Sequence, residues 1–211
     1  MTSTEATAAG SSSPGIWNLP NILTMLRIAL VPFFVWFLLA DAPGLSSESG
    51  PWRWAAVVAF AVAIYTDKLD GDIARSRGLV TNFGKIADPI ADKLLIGSAL
   101  VMLSILNELP WWITIVILVR EWGITALRFF VIRYGVIPAS RGGKLKTVVQ
   151  TAAIFLYLLP LGALAPWLVW VAFAVMIVAV LITVWTGVEY VIEALRIRSQ
   201  GKRTGKTTAG N

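Results

Sequence analysis

The chain has 211 residues, of which 57% are hydrophobic and only 14% charged, against about 25% charged in an average soluble domain. With a mean hydropathy of +0.74 and room for one domain, it reads as an integral membrane protein. Cysteine and histidine are both absent, which excludes disulfides, thiolate nucleophiles and the commonest general base and zinc ligand. Any catalysis must therefore use carboxylates, Lys, Arg, hydroxyls or a metal held by oxygen. The net charge of +6 is read as the positive-inside bias of a membrane protein and not as nucleic-acid binding.

Residues 1–15 are Ser/Thr/Ala/Gly-rich, and the first basic residue is Arg27. A secretory leader needs a positive start, so this segment is expected to be a disordered tail. Trp17 and Pro20 in the following stretch suggest an interfacial anchor leading into a helix. Six apolar stretches follow, near 21–40, 52–76, 84–107, 110–134, 145–165 and 166–195. Each supplies the roughly 20 helical residues that cross about 30 Å of hydrocarbon. The expected architecture is thus all-α and polytopic: six transmembrane helices in a catalytic body over 16–198, and a basic flexible tail over 199–211. Pro160 to Pro166 leaves only a tight turn between the fifth and sixth spans. Arg75, Arg77, Lys85, Arg133, Arg141, Lys144, Lys146 and the tail cations all fall on one side, whereas Arg53, Asp41, Glu48 and Glu108 fall on the other. That asymmetry places both termini in the cytoplasm, in a cell membrane crossed several times.

The second and third spans break the apolar rule. The second has an uninterrupted apolar run only from Ala55 to Thr66, about 18 Å of helix. Its continuation carries Asp67, Lys68, Asp70, Asp72 and Arg75 into the cytoplasmic interface. The third span begins in the same way, with Asp88, Asp92 and Lys93. Asp67 and Asp70 are spaced i,i+3 and Asp88 and Asp92 i,i+4, so each pair shares a helix face. Two antiparallel helices bring both pairs to one depth, where four carboxylates repel. Two divalent cations balance them, and oxygen donors without His or Cys suit Mg²⁺ or Mn²⁺. Gly71 and Ala74 leave room for a flat ligand beside this face, and Arg75 offers a planar fork to phosphate oxygens. A simpler reading makes Asp88-Pro89 an ordinary helix start and pairs Asp67 and Asp70 with Lys68, Arg75 or Lys93. One cap needs one carboxylate, so four acids in short spans favour a functional site.

Asp67-x2-Asp70-Gly71-x2-Ala74-Arg75-x8-Gly84-x3-Asp88-x3-Asp92 resembles, at every fixed position, the signature of the CDP-alcohol phosphatidyltransferase family. The resemblance implies a six-helix membrane enzyme, usually a homodimer, that moves a phosphatidyl group from a CDP-linked lipid such as CDP-diacylglycerol to an alcohol and releases CMP. It implies that Asp67, Asp70, Asp88 and Asp92 hold two metal ions, with Asp92 also the proton acceptor. It assigns Gly71, Ala74, Arg75, Thr81 and Gly84 to the CDP-lipid. Two metals clamping a pyrophosphate, with a carboxylate base beside the attacking hydroxyl, make chemical sense in a chain without His.

The fourth span carries Arg120-Glu121 after nine apolar residues, Trp111 to Val119, about 14 Å into the helix. Glu121 and Arg128, seven apart, share a face, and the plainer reading has them neutralise each other, which leaves Arg120 over. Arg141-Gly-Gly-Lys144-Leu-Lys146 then opens the fifth span, an anion site by side chains and helix dipole together; positive-inside bias alone accounts for the same residues equally well. Asn18-Leu-Pro-Asn21-Ile-Leu-Thr24-Met-Leu-Arg27, Arg120-Glu121 and Gly143-Lys-Leu-Lys-Thr-Val-Val-Gln150 look like the branch of the family that uses sn-glycerol 3-phosphate. Arg120, Arg128, Arg141, Lys144 and Lys146 then form the acceptor-phosphate pocket. The runner-up within the family uses inositol phosphate. From another class, a divalent-cation transporter also needs an acidic cluster, but no internal repeat accompanies it here. The periodicity of the sixth span decides between dimer packing and lipid contact in neither direction. The basic tail suits anionic headgroups or a topology signal.

Overall fold

The computed structural model describes residues 18–45, 50–76, 81–131 and 141–208, the side chains of Asn82, Lys85, Val131, Arg141 and 198–208 excepted. The interfacial Trp17, the 1–15 segment and the loop residues Arg77 and Arg133 lie outside that set. Every regular element among the described residues is helical, as the apolar blocks require: α1 (Leu19–Ala40), a 3₁₀ turn (Pro43–Leu45), α2 (Pro51–Ser76), α3 (Asn82–Ile105), α4 (Trp111–Val131), α5 (Arg141–Leu158), the one-turn α6 (Leu161–Leu164) and α7 (Trp167–Thr208). Two of them, Leu19–Ala40 and Trp167–Ile197, are long and apolar enough to cross a membrane by length and composition. The other long helices carry ionisable residues within their length. The Pro160–Pro166 interval holds α6 rather than a bare turn, and α7 carries the helix on to Thr208, through the basic stretch.

Local chemistry sets the helix ends. Asn18 caps α1, its side chain accepting the Asn21 N–H at 3.0 Å, with Pro20 in the first turn. Thr81 caps α3 by accepting the Gly84 N–H at 3.0 Å. Asp88-Pro89 is therefore not a helix start: Pro89 sits inside α3, and Asp88 has no capping duty. α3 ends on Asn107 at φ 58°, with the Glu108 N–H returning to the Leu103 carbonyl at 2.9 Å and the Asn107 N–H to Ser104 at 3.2 Å. This is the left-handed C-terminal closure that Asn tolerates after Gly.

α1 packs on α2 and α3, while α4 and α5 pack on α7, and α5 also meets α2 and α3. Phe34, Phe60, Leu95, Leu100, Leu103, Ile117, Ile154 and Met176 fill the seam at 0–1% exposure. The perimeter is apolar as well: Trp36, Val58, Val119, Phe129, Trp170 and Trp185 are all more than half exposed. Helices apolar on every side suit a hydrocarbon surrounding.

At the end away from the aspartates, Arg53 is buried and ties three elements together. Its guanidinium pairs with both Glu108 carboxylate oxygens, one at 2.7 Å. It also donates to the carbonyls of Leu158 at 2.7 Å and Tyr157 at 2.8 Å, which the end of α5 leaves without helical partners. Of the four charged residues expected on this side, Arg53 and Glu108 thus form one ion pair, Asp41 accepts the Gly50 N–H at 3.1 Å, and Glu48 lies outside the described residues.

Candidate active site

α2 and α3 run antiparallel from a short connection, so Asp67 and Asp70 stand beside Asp88 near one end of the bundle. What gathers them is α1. Arg27, fully buried, lays its fork across α2: one terminal nitrogen lies 2.5 Å from Asp67 Oδ1 and the other 2.5 Å from Asp70 Oδ2. Thr24, one turn earlier, places its hydroxyl 2.7 Å from Asp88 Oδ1 and 3.5 Å from Asp70 Oδ2. Asn21, one turn earlier again, accepts the Thr81 hydroxyl at 2.9 Å. The polar i, i+3, i+6 row Asn21–Thr24–Arg27 is thus the floor of the acidic site. A side chain at Gly84 would start 3.1 Å from Asn21 Oδ1, so the close approach of α3 to α1 depends on glycine there.

Arg75 does not pair with Asp67 or Asp70. It folds back over Gly71, where an added Cβ would lie 3.2 Å from both terminal nitrogens, and binds Asp72 at 2.9 Å in the open. Gly71, Ala74 and Arg75 follow Asp70 on α2, with Gly71 and Ala74 half-buried and Arg75 exposed. Thr81 and Gly84 serve the start of α3 and its contact with α1.

Asp92 faces a different space. It lines a cavity of about 310 Å³ together with Arg120, Arg128, Lys144 and Lys146. Four of the five cations expected at an acceptor pocket therefore converge on the remaining aspartate; the side chain of the fifth, Arg141, lies outside the described set. Glu121 bonds two of them. It accepts from Lys146 on α5 and from Arg120 at 3.2 Å. The expected Glu121–Arg128 neutralisation does not form. Two helical turns separate them by about 10.5 Å of rise, and each finds a nearer partner on another helix.

The partners of Arg120 and Arg128 on another helix come from α7, which the sequence reading left undecided. Arg120 donates to the Thr186 hydroxyl at 3.0 Å, and Gly187 makes room for its stem, since a Cβ there would meet Arg120 Cγ at 3.2 Å. Arg128 donates to the Tyr190 hydroxyl at 3.2 Å and lies over that ring at 5.8 Å. Thr186, Gly187 and Tyr190 at i, i+1 and i+4 make one polar-and-small face in a long apolar run. That interruption is the signal by which the sequence alone marks them.

The donor chemistry fits a hard divalent ion. Asp67 and Asp70 aim their oxygens at a single cationic group, here the Arg27 guanidinium, and Asp88 stands beside Asp70 through Thr24. Among the described residues no three acids lie close enough to share one ion. Asp92 is set apart on the cavity side, within electrostatic reach of Asp67. The arrangement joins an acidic surface, able to hold a cation against phosphates, to a basic cavity with one carboxylate at its edge.

Such a pairing belongs to enzymes that move a phosphorylated group between an activated donor and an anionic acceptor. The sequence profile of the CDP-alcohol phosphatidyltransferase family matches residues 17–185, and the chain belongs to that family. A protein of Mycobacterium tuberculosis (strain H37Rv) named probable phosphatidylglycerophosphate synthase is 54% identical over 181 residues, 86% of this chain and 83% of its own length. The CDP-diacylglycerol–glycerol-3-phosphate 3-phosphatidyltransferase of Bacillus subtilis (strain 168) is 40% identical over 191 residues, 83% of this chain and 94% of its own. The protein of the same name from Rickettsia bellii is 36% identical over 178 residues.

Proposed function

We propose that this enzyme transfers the phosphatidyl group of CDP-diacylglycerol to sn-glycerol 3-phosphate, giving phosphatidylglycerophosphate and CMP. The observation that carries the reading is the meeting of Asp92 with Arg120, Arg128, Lys144 and Lys146 around one cavity. An acceptor with about two negative charges needs that many cations, and a neutral alcohol does not. The names of the relatives at 54% and 40% identity agree with it.

Asp67, Asp70, Asp88 and Asp92 are the residues that would hold Mg²⁺ or Mn²⁺, which neutralises pyrophosphate charge when bound. Gly71, Ala74 and Arg75, with Thr81 and Gly84 behind them, receive the CDP portion, Arg75 swinging from Asp72 to phosphate. Arg120, Arg128, Arg141, Lys144 and Lys146 draw in the acceptor phosphate. Asp92, at the cavity's edge, accepts the proton of the attacking hydroxyl as it adds to the lipid-side phosphorus and CMP leaves. The setting is a cell membrane crossed six times by the long helices, with the acidic end and both termini on the cytoplasmic side. The catalytic body spans 16–198, flanked by tails at 1–15 and 199–211, and works as a homodimer among membrane lipids.

The test is CMP release by detergent-purified protein from CDP-diacylglycerol with Mg²⁺ or Mn²⁺, offering glycerol 3-phosphate or inositol 1-phosphate. Turnover with glycerol 3-phosphate alone is expected. Turnover with inositol phosphate alone would keep the acidic site and overturn the acceptor, and silence with both would overturn the reaction.

A further inference from the structure

Gln150 lies one helical turn beyond Lys146 on α5 and is only 2% exposed, yet it lines the cavity shared by Asp92, Arg120 and Lys146. Its carboxamide oxygen is buried and has no hydrogen-bond partner among the described residues. Buried polar atoms in folded proteins are nearly always paired, so an unpaired acceptor lining a cavity calls for a donor from the occupant. The ammonium of Lys146 donates to Glu121, and the two terminal nitrogens of Arg120 donate to Glu121 and Thr186. The buried Arg120 Nε, like the Gln150 oxygen, has no partner among the described residues and is not bonded to it. Phosphate oxygens at neutral pH are acceptors and cannot satisfy a carbonyl oxygen, whereas an alcohol hydroxyl can. Lys146 and Gln150, spaced i,i+4 with about 6 Å of helix rise between them, present a cation and an acceptor on one helix face. That separation is comparable with the reach from the phosphate to the middle hydroxyl of a three-carbon phosphoester.

We propose that Gln150 reads a non-reacting hydroxyl of the acceptor through its carboxamide oxygen, so that the enzyme selects a phosphorylated polyol over a phosphorylated simple alcohol. The inference rests on the acceptor reading above and deepens it. The cations recognise the phosphate, Asp92 serves the reacting hydroxyl, and Gln150 distinguishes what lies between. A site built to bond a substrate hydroxyl rejects the analogue that lacks it, because its own buried group is then left unpaired.

The experiment compares kcat/KM for sn-glycerol 3-phosphate and for 3-hydroxypropyl phosphate, which keeps the phosphate and a terminal hydroxyl but lacks the middle one. Wild-type enzyme is expected to prefer glycerol 3-phosphate on the order of a hundredfold. In Gln150→Met the preference is expected to fall to within about fivefold, through loss on glycerol 3-phosphate with little change on the analogue. Each ratio is taken within one preparation, so the folded fraction cancels, and the wild-type comparison needs no variant. A wild-type enzyme that uses both acceptors equally, or a Gln150→Met ratio equal to wild type, overturns the assignment while leaving the acceptor reading in place. Absence of CMP release with glycerol 3-phosphate in the wild type overturns both.

Discussion

Arg27 sits where its chemistry is least expected, fully buried and bonded to two of the four family aspartates. A buried guanidinium needs paired anions, and Asp67 and Asp70 supply them. The same two carboxylates, with Asp88 and Asp92, are the oxygen donors proposed above for a divalent ion. Treatment with EDTA is therefore expected to abolish CMP release and re-addition of Mg²⁺ or Mn²⁺ to restore it, measured on one preparation. Asp92 is the carboxylate turned toward the basic cavity, so its replacement separates chemistry from folding. Asp92→Asn should lower kcat by about 10²–10⁴-fold with an unchanged melting temperature. Near-normal turnover in that variant would mean that another group accepts the proton.

Helices here carry work that no single residue does. α1 holds the acidic site through Asn21, Thr24 and Arg27, and α7 holds the basic cavity through Thr186, Gly187 and Tyr190. Arg120 and Arg128 are long side chains with several rotamers to lose; a hydroxyl fixed on a neighbouring helix keeps each in place before the acceptor arrives. Thr186→Val and Tyr190→Phe should each raise KM for glycerol 3-phosphate several-fold, leaving KM for CDP-diacylglycerol unchanged. Equal effects on both substrates would show that α7 contributes stability alone. Thr81 acts in the same way at the start of α3, by capping the helix and bonding Asn21. Thr81→Ala should cost about 1 kcal/mol, read as a lower melting temperature with the acceptor KM intact.

The bundle as a whole divides its charge between two ends. One end carries the acids and the basic cavity, and the other is closed by the Arg53–Glu108 pair over the carbonyls of α5. Removing one member leaves a buried charge alone. Arg53→Met is thus expected to destabilise the fold by about 3–5 kcal/mol, with Arg53→Met combined with Glu108→Gln less damaging than the single change. The absence of cysteine makes topology directly measurable. Ser76→Cys is at the acidic end and Gly162→Cys at the other, and a Cβ at Gly162 meets nothing within 4 Å. In sealed vesicles an impermeant thiol reagent should label the two variants from opposite faces. Labelling from the same face would overturn the six-span arrangement.

Helix positions and the acidic motif are local properties: apolar runs, i,i+3 and i,i+4 spacing, and Gly or Pro at the breaks are written along the chain. The all-helical class, the four aspartates, the glycines beside them and the cations at the start of α5 were legible for that reason. Pairing is not local. A charge on one helix selects among partners on several others by distance and burial, and seven residues along a helix is a long way compared with one step across to its neighbour. Glu121 therefore meets Lys146 and Arg120 instead of Arg128, Arg128 goes to Tyr190, and Arg27 reaches Asp67 and Asp70 from forty or more residues away. The sequence alone determined which ionisable groups interrupt apolar helices, and with them the family signature. Only the tertiary structure decided which of them face one another, because that depends on how the helices are packed.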